Sequence, residues 1–466
     1  MRQCASGLGA LALGGLMGCQ ESVLPQQAQL SLDKLQHFAP KAKQVIFLHM
    51  AGAPSQLELF DYKPALAKLD GQPCPPSLME GKRFAFLTGT PQLMGPQASF
   101  AQYGQSGAWV SDNLPYFQEV VDEVSFLKAM HTDEFNHAPA QFMVHTGHPR
   151  TGRPSMGSWV AYGLGSENEN LPSFVVLLSG YLDVSAGKSI WSSGFLPSVY
   201  QGVQLHSNGD PVLSLSNPEG VSRDLRKASI DAINQINQME YEQVGDPEIL
   251  ARISQYELAF RMQSAVPESM DIMDEPAWVH ELYGTNPGKR SFANNCLLAR
   301  KLVEKGVRFV QLFDRRWDHH GTNKTSGVTD GLKAACRAVD QPIAALLKDL
   351  KQRGLLEETL VVWGGEFGRT PMMEQRASGA DFRGRDHHGD AYTMWLAGGG
   401  IKRGYTHGET DEIGFNGVKG RTHVHDLQAT ILHCLGLEHE NLTYPFQGRN
   451  FRLTDVHGKV IEEILA

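Results

Sequence analysis

Short apolar runs alternate along this chain with longer stretches in which apolar residues recur every three or four positions. The short runs read as buried strands and the longer stretches as helices. Six runs stand out: Lys43–Met50, Val124–Leu127, Leu171–Leu178, Val307–Phe313, Thr359–Trp363 and Ala391–Ala397. Ser222–Gln263 has helical character, with Leu225, Ile230, Ile233, Ile236 and Met239 near helical spacing, and Gly245-Asp246-Pro247 divides it into two helices. Further helices are expected at Phe292–Glu304, closed by Gly306, at Gly331–Arg353, closed by Gly354, and at Asp426–Leu435. Gly71–Ser106, rich in Gly, Pro and Gln, reads as loop. Strands alternating with helices predict an α/β protein built on a doubly wound, mostly parallel sheet. In such sheets ligands sit outside the carboxyl ends of the strands. Chemistry is therefore expected in the polar residues that follow each run.

Four strand-to-loop junctions carry such residues. Thr359–Trp363 ends at Gly364-Gly365 and is followed by Glu366 and Arg369, then by a loop with Arg383, Arg385, Asp386, His387 and His388. Val307–Phe313 leads into Asp314, Asp318, His319 and His320. Carboxylates and imidazoles a residue or two apart suit a divalent metal. Val124–Leu127 leads to Thr132, ahead of a helix whose dipole favours negative charge on a nearby hydroxyl. The same position equally suits a helix cap. His423 and His425 precede the late helix, with Asp426 as its cap. Taken singly, Glu366 and Arg369 also read as a surface ion pair, and the histidines as solvated loop residues.

The formal net charge of −9 argues against a nucleic-acid binder that works by charge. The six cysteines form no C-x-x-C pair and imply no disulfide framework. Residues 1–18 read as a leader, with Arg2 ahead of an apolar segment from Ala5 to Met17 that is too short to span a bilayer comfortably. Leu16-Met17-Gly18-Cys19 resembles a lipoprotein cleavage box, which makes Cys19 a lipid anchor and the sole membrane contact; ordinary signal cleavage is the alternative. The first residues also resemble the tail of a twin-arginine signal. Residues 19–42 read as a linker and 43–466 as a single domain, exported and either periplasmic or membrane-anchored.

Several segments together resemble the DUF1501 family over essentially all of the mature chain. They are Phe60-Asp61-Tyr62-Lys63-Pro64, the run from Gly152 to Gly165, Trp317-Asp318-His319-His320, the run from Gly365 to Pro371, Gly384-Arg385-Asp386-His387-His388 and the run from His423 to Leu432. The resemblance implies the alkaline phosphatase/sulfatase-like superfamily. Its fold is doubly wound α/β, and it hydrolyses phosphate or sulfate esters with a metal-activated hydroxyl nucleophile. On that likeness Thr132 is the nucleophile. Asp314, Asp318, His320, Glu366, His387 and His388 are candidate ligands for a divalent ion (Zn, Ca or Mg), and Glu366 is alternatively a general base. Arg369 and Arg385 would clamp the anion, as guanidinium suits tetrahedral oxyanions. The partner implied is a small-molecule or polysaccharide ester. Two positions depart from the superfamily. Met50-Ala51-Gly52 stands where an Asp follows the first strand, and Gly365-Glu366-Phe367-Gly368 stands where an Asp-His pair is expected. One of two metal sites is thereby impaired, which opens a second reading: a non-catalytic binding or scaffold protein of the same fold.

Overall fold

The computed structural model describes residues 35–180, 184–212, 216–374 and 382–466. In chain order its main strands are β1 (Gln44–Met50), β2 (Val124–His131), β3 (Phe174–Ser179), β4 (Val203–Leu205), β5 (Phe309–Asp314), β6 (Thr359–Gly364), β7 (Gly368–Arg369), β8 (His387–His388), β9 (Tyr392–Ala397), β10 (Tyr405–His407) and β11 (Thr422–His423). Nine of them form one sheet in the order β10-β2-β9-β6-β1-β5-β3-β4, with β11 also paired to β2; β7 and β8 make a separate two-stranded ribbon. Every neighbouring pair in the sheet is parallel except those of β9, which runs against both β2 and β6. Each of the six apolar runs overlaps one of these strands.

The main helices are α1 (His137–Thr146), α2 (Met156–Leu164), α3 (Arg223–Val244), α4 (Pro247–Met270), α5 (Phe292–Glu304), α6 (Asp330–Gln352) and α7 (Val424–Cys434). Side chains alternate across a strand, so β1 feeds both faces of the sheet. Ile46, Leu48 and Met50 join a core with Leu297 and Leu302 of α5 and Leu346 of α6. Val45 and Phe47 join another with Val144 of α1, Trp159 of α2 and Leu432 of α7. Helices on both faces of a mostly parallel sheet make the fold doubly wound α/β. α6 shows why the helices form: Leu332, Cys336, Val339, Ile343, Leu346 and Leu350 recur every three or four residues and all are buried. α3 departs from that rule. Its buried residues are Ile230, Asn234 and Asn237, while Leu225, Ile233, Ile236 and Met239 face solvent.

The leader and Cys19 lie outside the described residues. Of the residues read as linker, 35–42 lie against the body: Leu35 N donates to Gly163 O, and the amides of Lys41 and Ala42 both donate to Cys434 O. Cys74, Cys296, Cys336 and Cys434 are buried, free thiols. Among the described residues no helix is long and apolar enough to cross a membrane.

Candidate metal centre

Four loops meet at one edge of the sheet. β2 runs out toward α1, whose first residue is His137, β5 toward Asp318 and His320, and β6 toward Glu366. β9 is reversed, so the residues before it, His387 and His388 in β8, arrive at the edge where the parallel strands end. Two of these loops are held together backbone to backbone. Gly321 has φ +70°, and a Cβ there would lie 2.7 Å from Gly384 N. A Cβ on Gly384 would lie 2.0 Å from the carbonyl carbon of His320. Gly52 (φ +112°) lets the end of β1 approach Asp318, whose amide would stand 2.6 Å from a Cβ.

The Nε2 atoms of His137, His320 and His387 gather around Oδ1 of Asp318, at 3.2, 2.7 and 3.5 Å. One donor atom from each of the four residues lies within 4.8 Å of the others. Each ring is held from behind through Nδ1: His137 by Glu366 Oε1 at 2.8 Å, His320 by Glu374 Oε2 at 2.5 Å, and His387 by the carbonyl of Phe135 at 2.7 Å. A carbonyl or an ionised carboxylate only accepts, so all three Nδ1 atoms carry the proton. A neutral ring in that tautomer presents a bare lone pair at Nε2. Nε2 of His320 and Nε2 of His387 stand 3.0 Å from one another, and a cation between them would take a lone pair from each ring. Donors around a tetrahedral ion with bonds of about 2.1 Å stand about 3.4 Å apart, close to the spacing seen. Oriented imidazoles with their far nitrogens pinned are what a transition metal requires.

The surroundings fit. Phe367 is buried and packs on His137 and His387, with ring centroids 5.1 and 4.6 Å away. The exposed Phe86 stands edge-on over His320 and His387 at 5.1 and 5.4 Å. Asp318 is the open side, its side chain 43% exposed. Burial would raise Asp318, but His137, His320, His387 and Arg369 hold it far below the usual carboxylate range. Burial pulls His137 down, yet the carboxylates of Asp318 and Glu366 outweigh it and push it up to about 9. Burial pushes His387 down to about 4, which keeps it neutral.

The sequence profile described as "Protein of unknown function (DUF1501)" matches residues 42–465. The chain belongs to the DUF1501 family. No curated protein matches this DUF1501 chain. Solved structures similar to it include a mutant of TAB5 alkaline phosphatase, from an Antarctic bacterium, with Mg bound in its M3 site. That match has 12% identity, covers 86% of this chain and 99% of that one, and has a TM-score of 0.34. Another is the PsFucS1 sulfatase from Pseudoalteromonas sp., at 12% identity, 87% and 69% coverage and a TM-score of 0.37. A third is the lipoteichoic acid synthase LtaP from Listeria monocytogenes, at 10% identity, 91% and 77% coverage and a TM-score of 0.36. At such scores the chemistry must be read from the site itself.

In this DUF1501 chain, Asp318, His320, Glu366 and His387 come together as the sequence suggests, with Glu366 behind His137 and outside the four-donor cluster. Glu366 is fully buried and also accepts from Gly52 N at 2.9 Å and Gln141 Nε2 at 3.0 Å. Gly52, in the Met50-Ala51-Gly52 turn at the end of β1, thus contributes an amide to it. Asp314 and His388 are not in the cluster. Asp314 accepts from the indole of Trp317 at 3.2 Å, and burial raises its pKa. His388 turns away to the carbonyl of Phe415, because adjacent residues of a strand face opposite ways. Thr132 is not a cap: α1 begins at His137 with Asn136 before it, and Thr132 Oγ1 accepts only a 3.5 Å contact from Glu134 N among the described hydrogen bonds. Arg385 does not face the cluster. It is fully buried and grips Glu58 through Nε and Nη2, with Thr370 O and Gly95 O taking its other donors. Arg369 stands beside the cluster, with Nη2 at 2.7 Å from Asp318 Oδ1 and Nε on Ala53 O. His137 and Glu374 are the residues missed. Asp386 completes a group with His320 and Glu374. Its oxygens, however, accept the amides of Phe86, Leu87 and His387, which makes it a loop anchor.

Proposed function

We propose that the chain is an exported hydrolase of phosphate or sulfate esters that works with one divalent ion held by His137, Asp318, His320 and His387. The observation that carries this is the meeting of three pinned imidazoles at one carboxylate oxygen. A histidine-rich set suits Zn²⁺ or a similar transition ion better than Ca²⁺ or Mg²⁺, which take oxygen ligands. The ester class comes from the family resemblance. An ion bound there supplies a Lewis acid to an ester oxygen. The chain's own residues orient and shield. Glu366, Glu374 and the Phe135 carbonyl fix the three rings. Arg369 positions Asp318 and places positive charge next to an incoming anion. Phe367 and Phe86 cover the flanks, and substrate enters past Asp318. Thr132 is the nucleophile that the resemblance offers, and a water is its competitor. Export, with Cys19 as an acylated amino terminus, belongs to the same proposal and rests on residues 1–19.

Metal content and turnover of aryl phosphates and aryl sulfates test it. The wild type is expected to carry a single bound ion and to turn over one of the two ester classes, and His320→Ala to lose both properties. Thr132→Ala should abolish turnover and keep the ion; turnover that survives assigns the attack to water. A metal-free, inactive wild type overturns the proposal. The second reading, a non-catalytic binding protein, is favoured by one observation: Arg385, offered as an anion clamp, is closed on Glu58. A retained ion with no turnover of either ester supports that reading.

A further inference from the structure

Five apolar residues of α3 form an exposed row, while Ile230 faces inward. With 3.6 residues per turn, Leu225, Ile233, Ile236, Met239 and Val244 share a face about 140° wide. All five are between 41 and 66% exposed. The inward side carries Asn234, whose Nδ2 donates to Glu257 of α4 at 3.4 Å, and Asn237. A helix that buries asparagines and shows its aliphatic residues to water has the pattern of an element whose proper neighbour is another molecule.

We propose that this neighbour is a second copy of the chain, with the two α3 helices packed antiparallel about a two-fold axis near Ile233. Charge selects that occupant. The first half of α3 carries Arg223, Arg226 and Lys227 with Asp224 and Asp231, three cations less two carboxylates for a net +1, with Lys227 already paired to Asp231, and the last turns carry Glu240 and Glu242. Antiparallel pairing lays the basic half of each helix on the acidic half of the other. Arg226 and Glu240 flank the apolar row seven residues before and after Ile233, so each meets its opposite across the axis. Both are exposed, and neither has an ion-pair partner among the described residues. Self-complementary contact of this kind closes as a two-fold dimer. A bilayer is the poorer occupant, because the acidic half of the row and the net charge of −9 oppose anionic headgroups. A helix of 22 residues is about 33 Å long and about 10 Å wide. That face is small against the roughly 800 Å² per partner of a standard interface, so the dimer should dissociate on dilution.

Sedimentation velocity of the full chain from ~1 to ~100 µM tests this. A sedimentation coefficient that rises with concentration is expected. Ile236→Glu should remain monomeric throughout, with unchanged circular dichroism and melting temperature, since Ile236 makes no core contact to lose. Arg226→Glu and Glu240→Arg should each weaken association by about five-fold, and the double reversal should restore it. The pairing is overturned by a wild type that stays monomeric over the whole range. It is equally overturned by charge reversals that leave association unchanged, or by a monomer that binds neutral lipid vesicles through this face.

Discussion

A single oxygen of Asp318 gathers three imidazoles and one guanidinium, and the ring orientations depend on the groups behind them. Glu374→Gln should weaken binding of the ion by 10- to 100-fold, the usual cost of losing such a partner, read by competition with a chromogenic chelator. Glu58→Gln leaves Arg385 charged and buried without its carboxylate, a change worth roughly 3–5 kcal/mol. Denaturant unfolding should show that loss. The pH response of the metal-free chain follows from His137, whose folded pKa is raised to about 9. An unfolded histidine titrates near 6.5, so the proton stabilises the fold fully below about 6.5, and that contribution is lost as pH rises through the folded value. The melting temperature of chelator-treated protein should fall over this interval, while affinity for Zn²⁺ rises, because the ion displaces that proton. Glu366→Gln should flatten both trends. Asp318, His320, Glu366 and His387 were legible as polar residues after apolar runs. His137 was not, because an Asn-His pair ahead of a helix looks like capping. Nor could adjacency separate His387 from His388, which a two-residue strand sends in opposite directions.

At the scale of elements, the reversed strand β9 and the glycine contact between the loops of His320 and His387 position the centre. Gly384→Ala pushes a methyl into the backbone of His320. It should cost about 1–3 kcal/mol, as overpacking does, and reduce ion binding more than its stability loss alone explains; isothermal titration beside a thermal melt separates the two effects. The six strands and the main helices were readable because apolar runs and three-to-four spacing report burial directly. The direction of β9 was not readable, since a short buried run looks alike in either sense. Periodicity found the apolar face of α3 but could not say which way it points, since the sequence carries no record of what the helix packs on.

For the whole molecule, an ion that binds only the folded state should add about 2.7 kcal/mol of stability when present at a hundred times its Kd. Thermal melts with and without added Zn²⁺ should show the rise, and EDTA should reverse it. The four donors span positions 137 to 387 and come from two separate loops and one helix start. His387 stands directly ahead of β9, which fills the gap between β2 and β6. A nascent or clipped polypeptide that ends before this point has both an incomplete coordination shell and a sheet with a missing plank. Cargo retained through gel filtration would therefore act as a certificate of completed synthesis, which truncation products cannot carry.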